Sequence, residues 1–139
     1  MQRQKGIVTL DQRVDYAGID RADVFDHQVG ATFYQLKTYS KLEYIHPQGT
    51  QITIKWYRLA SQEAYQVEIH QPNYKLVFAL GESYHFDYQT PGGLMALRVE
   101  TDHLSLKEGS ENIDLEVNYR IYQQDQLMGN YHYRLIYQG

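Results

Sequence analysis

Apolar and polar residues change places at every second position through most of this chain. Ile52, Ile54 and Trp56 alternate with Thr53, Lys55 and Tyr57. Tyr65, Val67 and Ile69 alternate with Gln66, Glu68 and His70, and Tyr74, Leu76, Phe78 and Leu80 follow in the same rhythm. Tyr84, Phe86 and Tyr88 oppose His85, Asp87 and Gln89, while Met95, Leu97 and Val99 oppose Ala96, Arg98 and Glu100. Leu115, Val117, Tyr119 and Ile121, and later Tyr131, Tyr133, Leu135 and Tyr137, repeat it near the C-terminus. A period of two places successive side chains on opposite faces of an extended strand, so each run offers one dry face and one wet one. No segment carries a sustained helical period. Only 58–64 and 102–108 would allow a single helical turn.

The runs are separated by residues that favour turns. They include Gly18-Ile-Asp20, Pro47-Gln-Gly49, Pro72-Asn73, Gly81-Glu82, Pro91-Gly-Gly93, Glu108-Gly-Ser110 and Gln123-Gln-Asp125. Glycine and asparagine tolerate positive φ, and proline presets the turn. The predicted strands are 7–17, 23–36, 39–46, 51–58, 64–70, 74–80, 83–89, 94–101, 112–122 and 127–137. Gly30 and Gly129 fall within two of them, where glycine often marks a bulge or a sharp bend. Strands joined by short turns pair antiparallel. Left as an open sheet they would expose two edges, and closure removes both. The expected fold is a single all-β domain over residues 1–139, an antiparallel up-and-down barrel of about 8–10 strands. A two-sheet sandwich is the alternative.

A chain of 139 residues buries roughly 65–70% of its unfolded surface. It needs no metal or disulfide to hold a core. It contains no cysteine, which excludes a thiol nucleophile and a cysteine-based zinc site. The formal charge is −4, with both signs interspersed. No basic stripe is present to draw a phosphate backbone, so nucleic acid is not an expected partner. The run Ile7–Leu10 ends at Asp11 and is too short for a signal peptide. No apolar stretch approaches the ~18 residues of a membrane span. These readings predict a soluble, cytoplasmic protein without a membrane partner.

A particular order of features adds to this. Val24 to Tyr34 contains Gly30; then come Tyr39-Ser-Lys-Leu-Glu-Tyr44, Thr50-Gln-Ile-Thr-Ile-Lys55 and Tyr88-Gln-Thr-Pro-Gly-Gly93. The chain closes with Leu135-Ile-Tyr-Gln-Gly139. This order resembles the YwiB-like family, small cytoplasmic proteins of Gram-positive bacteria classed as a domain of unknown function. The resemblance spans nearly the whole chain. It implies a lipocalin- or calycin-like barrel of eight to ten strands, and it brings no established reaction, ligand or site residue. Where relatives tend to carry an Arg-x-Gly turn, this chain has Ile69-His-Gln-Pro-Asn73.

The motifs of catalysis are weak. Ser83 follows Gly81-Glu82 but lacks the second glycine and the strand-to-helix setting of a nucleophile elbow. The acids Asp20, Asp23, Glu108, Glu111 and Glu116 lie at turns or on polar faces. His85 and Asp87 share a face, yet a metal would need further ligands. No cofactor is expected. The outlying feature is tyrosine, fourteen residues beside four Phe and one Trp. Tyrosine suits a half-buried pleated surface, and a buried hydroxyl needs a partner. Rings directed into one barrel would therefore form a solid core or line a pocket. The candidate ligand-binding residues are Trp56, Phe78, Tyr88, Tyr119, Tyr131 and Tyr133. The expected function is noncatalytic binding of a small, partly apolar molecule inside the barrel. Arg98 is a weaker candidate for an anionic group because alternation places it outside. The other reading is an interaction module using the exterior, including a homodimer through Tyr122, Met128 and Ile136.

Overall fold

The computed structural model describes residues 2–58 and 65–139. The ten strands are β1 (Gln2–Tyr16), β2 (Ala22–Gln35), β3 (Ser40–Ile45), β4 (Gln51–Arg58) and β5 (Tyr65–Gln71), then β6 (Tyr74–Phe78), β7 (Ser83–Thr90), β8 (Gly93–Glu108), β9 (Asn112–Gln123) and β10 (Gln126–Gln138). Among the described residues there is no helix. The single helical turn expected at 102–108 is instead the second half of β8. The turn expected at 58–64 lies, but for Arg58, outside the described residues.

All ladders are antiparallel, and the sheet order is β6-β5-β4-β3-β2-β1-β10-β9-β8-β7. The meander rolls up until the first strand meets the last, with Val8 opposite Tyr137 and Leu10 opposite Leu135. The result is the expected up-and-down barrel, nearly closed. Its one seam lies between β6 and β7, which are joined by a short turn yet share no ladder. β6 is only five residues long, and Leu80, expected within it, is 63% exposed. Across the seam Tyr74 packs on Phe86 at 5.9 Å and on Tyr88 at 5.1 Å between ring centroids. Aromatic contact thus stands where backbone hydrogen bonds would otherwise join the sheet.

The dry face of each strand fills the centre. Val8, Leu10, Leu42, Ile54, Val67, Phe78, Val99, Leu115, Val117 and Leu135 are all fully buried. The outward faces of β8, β9 and β10 carry ion pairs, Arg120 with Asp102 at 2.8 Å and Arg134 with Asp114 at 3.0 Å. That is the reverse of the apolar outer band of a membrane barrel. Among the described residues no helix is long and apolar enough to cross a membrane.

Two bulges adjust the wall. One lies between Thr101 and His103 and the other between Leu127 and Gly129. The first inserts an extra residue, so Thr101 and Leu104 on either side of it can both face inward. Gly30 is no bulge: its register with β1 is continuous through Ile7. It stands where β2 parts from β3, whose ladder begins at Ala31 and Tyr44. At Gly129 a side chain would have no room. A Cβ there would lie 3.0 Å from the Asp15 carbonyl oxygen and 3.3 Å from the Tyr131 ring. Gly129→Val is expected to destabilise the fold by about 1–3 kcal/mol through overpacking and to displace the Tyr131 ring. Urea melts and the Tyr131 ring resonances check both effects.

Candidate functional site

One end of the barrel holds a cavity of about 220 Å³. Its walls come from β1, β2, β3, β4, β5, β6, β9 and β10, with Phe25 of β2 among the lining residues. Tyr44, Tyr74, Tyr119, Tyr131 and Tyr133 all line it. Ile52, Ile69 and Leu76 supply apolar surface, and Gln12, Gln71 and His46 supply polar groups. The cavity extends to exposed Arg13 and to His132, which face each other across the β1–β10 ladder.

The phenols differ in how they are satisfied. The Tyr44 and Tyr133 hydroxyls meet at 3.2 Å, a bond in which either can donate. Tyr119 and Tyr131 stack ring on ring, 5.0 Å apart and nearly parallel. Their hydroxyls have no hydrogen-bond partner among the described residues, and both residues line the cavity.

Burial dominates the electrostatics, because an ionised phenolate loses solvation inside the barrel. It pushes Tyr44 up to about 12, partly offset by its bond to Tyr133. It raises Tyr119 further, helped by the phenols of Tyr74 and Tyr131. Tyr133 is held well above the ordinary phenol value by burial and then by Tyr44. Burial also lowers His46, with His27 as the second cause. The His46 Nδ1 accepts the Gln48 backbone N–H at 3.1 Å, so the neutral ring carries its proton on Nε2. The His27 ring meets His46 edge to face at 4.7 Å. Arg13 is bound by Asp15 at 3.0 to 3.3 Å. Among the described residues no carboxylate lines the cavity. With His46 lowered, the polar groups Gln12, Gln71 and His46 stand uncharged near neutral pH.

Of the residues expected at a ligand site, the structure brings Tyr119, Tyr131 and Tyr133 together on this cavity. Phe78 stands behind them, fully buried, with its ring 4.7 Å from that of Tyr119. Tyr88 is 37% exposed at the seam, against Tyr74. Trp56 lies four residues beyond Ile52, ~13 Å along the strand. There it stacks on Phe33 at 5.9 Å and borders a separate surface recess with Ser40. Tyr44, Tyr74 and His46 were not among the expected site residues. Tyr44 and Tyr74 share the inward face of their strands, which was the available signal.

The outer candidates are dispersed. Arg98 donates to the Gln124 carbonyl at 3.3 Å, and its guanidinium lies 4.8 Å from the Tyr122 ring centroid. Arg120 donates to the Tyr122 hydroxyl at 2.6 Å. Met128 and Ile136 stand eight positions apart on β10, ~26 Å along the strand, and do not form one patch with Tyr122. His85 and Asp87 point outward from β7, both exposed. Among the described residues no group of three or more His, Cys, Asp or Glu would hold a metal ion.

These features define a class: an antiparallel ten-stranded barrel with a tyrosine-lined cavity at one end. The chain belongs to the family described as a domain of unknown function (DUF1934), whose profile matches residues 8–135. The resemblance read from the sequence is thereby borne out. The fold is similar to the crystal structure of the ywiB protein from Bacillus subtilis, with a TM-score of 0.76 and 15% identity. That match covers 100% of this chain and 94% of the other. A search of curated proteins returned no match.

Proposed function

We propose that this protein is a noncatalytic, lipocalin-like binder that holds a small, partly apolar molecule in the barrel cavity. One observation supports the reading: Tyr119 and Tyr131, whose hydroxyls have no hydrogen-bond partner among the described residues, line the same space as Tyr44, Tyr74 and Tyr133. A half-buried hydroxyl that lacks a protein acceptor favours a polar group beside it. The walls of Ile52, Ile69 and Leu76 favour an apolar body. Tyr119→Phe and Tyr131→Phe keep the rings and remove the hydroxyls.

A thermal-shift screen of metabolites tests the proposal. A true ligand at a hundred times its Kd adds about 2.7 kcal/mol of stability, several degrees in Tm for a domain of this size. The expected result is a ligand whose shift shrinks in both variants. A broad panel that leaves Tm unmoved, or shifts that persist unchanged in both variants, would sink the reading.

A further inference from the structure

Resting on that reading, we infer that the cavity selects an uncharged molecule of about one ring, and rejects fatty acids and small ions of either sign. Size sets the first limit. A cavity of ~150 Å³ takes benzene; this one, at about 220 Å³, takes a ring with a small substituent and is too small to bury an extended acyl chain whole.

Charge sets the second limit. An ion brought inside needs a partner to offset lost hydration. Among the described residues the only permanently charged side chain lining the cavity is Arg13, which is exposed and already bound by Asp15. Among the described residues no carboxylate lines the cavity to receive a cation. An aromatic cage would substitute for one through the faces of its rings. Here Tyr119 and Tyr131 turn one ring face to each other, nearly parallel at 5.0 Å, and Tyr119 also packs on Phe78 at 4.7 Å, so these rings have little face left for a cation. A phenol both donates and accepts, which suits an amide or hydroxyl on the ring.

Three probes of one shape separate the possibilities: benzamide is neutral, benzoate anionic and benzamidine cationic. Laurate is added to test length. Each is titrated to millimolar concentration into the full chain with isotope-labelled tyrosine rings, and the Tyr119 and Tyr131 signals are followed. Benzamide is expected to move both signals with an affinity at least ~10-fold above benzoate and benzamidine, and laurate to leave them in place. Tyr131→Phe is expected to weaken benzamide several-fold, with the remaining ring spectrum reporting an intact fold. Should benzoate, benzamidine or laurate bind these rings as tightly as benzamide, the selectivity claim is overturned and the binding reading stands. Should none of the four move the rings, both are overturned.

Discussion

Replacing Phe78 by alanine is expected to remove about 3–5 kcal/mol of stability, a large share of the roughly 5–15 kcal/mol that holds a domain together. Phe78 is fully buried, and it ends the shortest strand of the barrel. Its ring supports Tyr119 at 4.7 Å. It stands beside the seam, where no ladder from β7 would hold β6 in place once the ring is gone. The loss therefore combines the transfer of a large apolar group with a void that the wall fills poorly. Leu80→Ala is the comparison. Leu80 is 63% exposed, and its truncation should change stability by no more than ~0.5 kcal/mol. Urea denaturation of both variants decides. Equal, small effects would mean that the seam does not depend on this ring.

Alkaline pH should unfold the protein cooperatively. In the unfolded chain tyrosines ionise near pH 10. In the fold Tyr44 holds its proton to about 12, burial keeps Tyr119 protonated higher still, and Tyr133 is held well above the ordinary phenol value. Above pH ~10 the folded state thus binds more protons than the unfolded one, and stability falls as pH rises toward the folded values. Each retained phenol contributes a slope of about 1.4 kcal/mol per pH unit, so these three together give roughly 4. That exhausts an ordinary stability within about two or three units of pH 10. Tyrosinate absorbance and far-ultraviolet circular dichroism should change together, in one steep step. A shallow titration of all fourteen tyrosines near their ordinary value, with the β-spectrum intact, would show that these hydroxyls are open to solvent.

The architecture was legible because the barrel has one inside. Alternation states which face of a strand is dry, and in a closed sheet every dry face converges. Where the reading failed, the rhythm itself had changed. In β8 the inward residues run Leu97, Val99 and Thr101, then Leu104 and Leu106, because a bulge intervenes. That phase slip resembled the end of a strand, and 102–108 read as a candidate turn of helix. The seam left no mark, since Leu80 continues the alternation of Tyr74 to Phe78 into a turn that has left the wall. The site was half legible for a related reason. Alternation assigns a side chain to a face and says nothing of its height along the barrel axis. Height depends on register, which links Tyr44 with Ile52, and Ser40 with Trp56. Trp56 and Phe78 face inward but stand at other levels, and Tyr88 sits exposed at the seam, whereas Tyr44 and Tyr74 share the level of the cavity.

Closure through the two ends has a consequence for how the protein is made. Eight of the nine ladders are hairpins between strands adjacent in the chain and can form as each stretch leaves the ribosome. The ninth sets Ile7 against Gln138, so β1 waits for nearly the whole polypeptide before gaining its second neighbour. Pairing between such distant segments is slow, and a nascent chain with an unpaired strand edge invites capture by other molecules. Translation stalled or terminated before β10 would leave a rolled but open sheet for chaperones to hold.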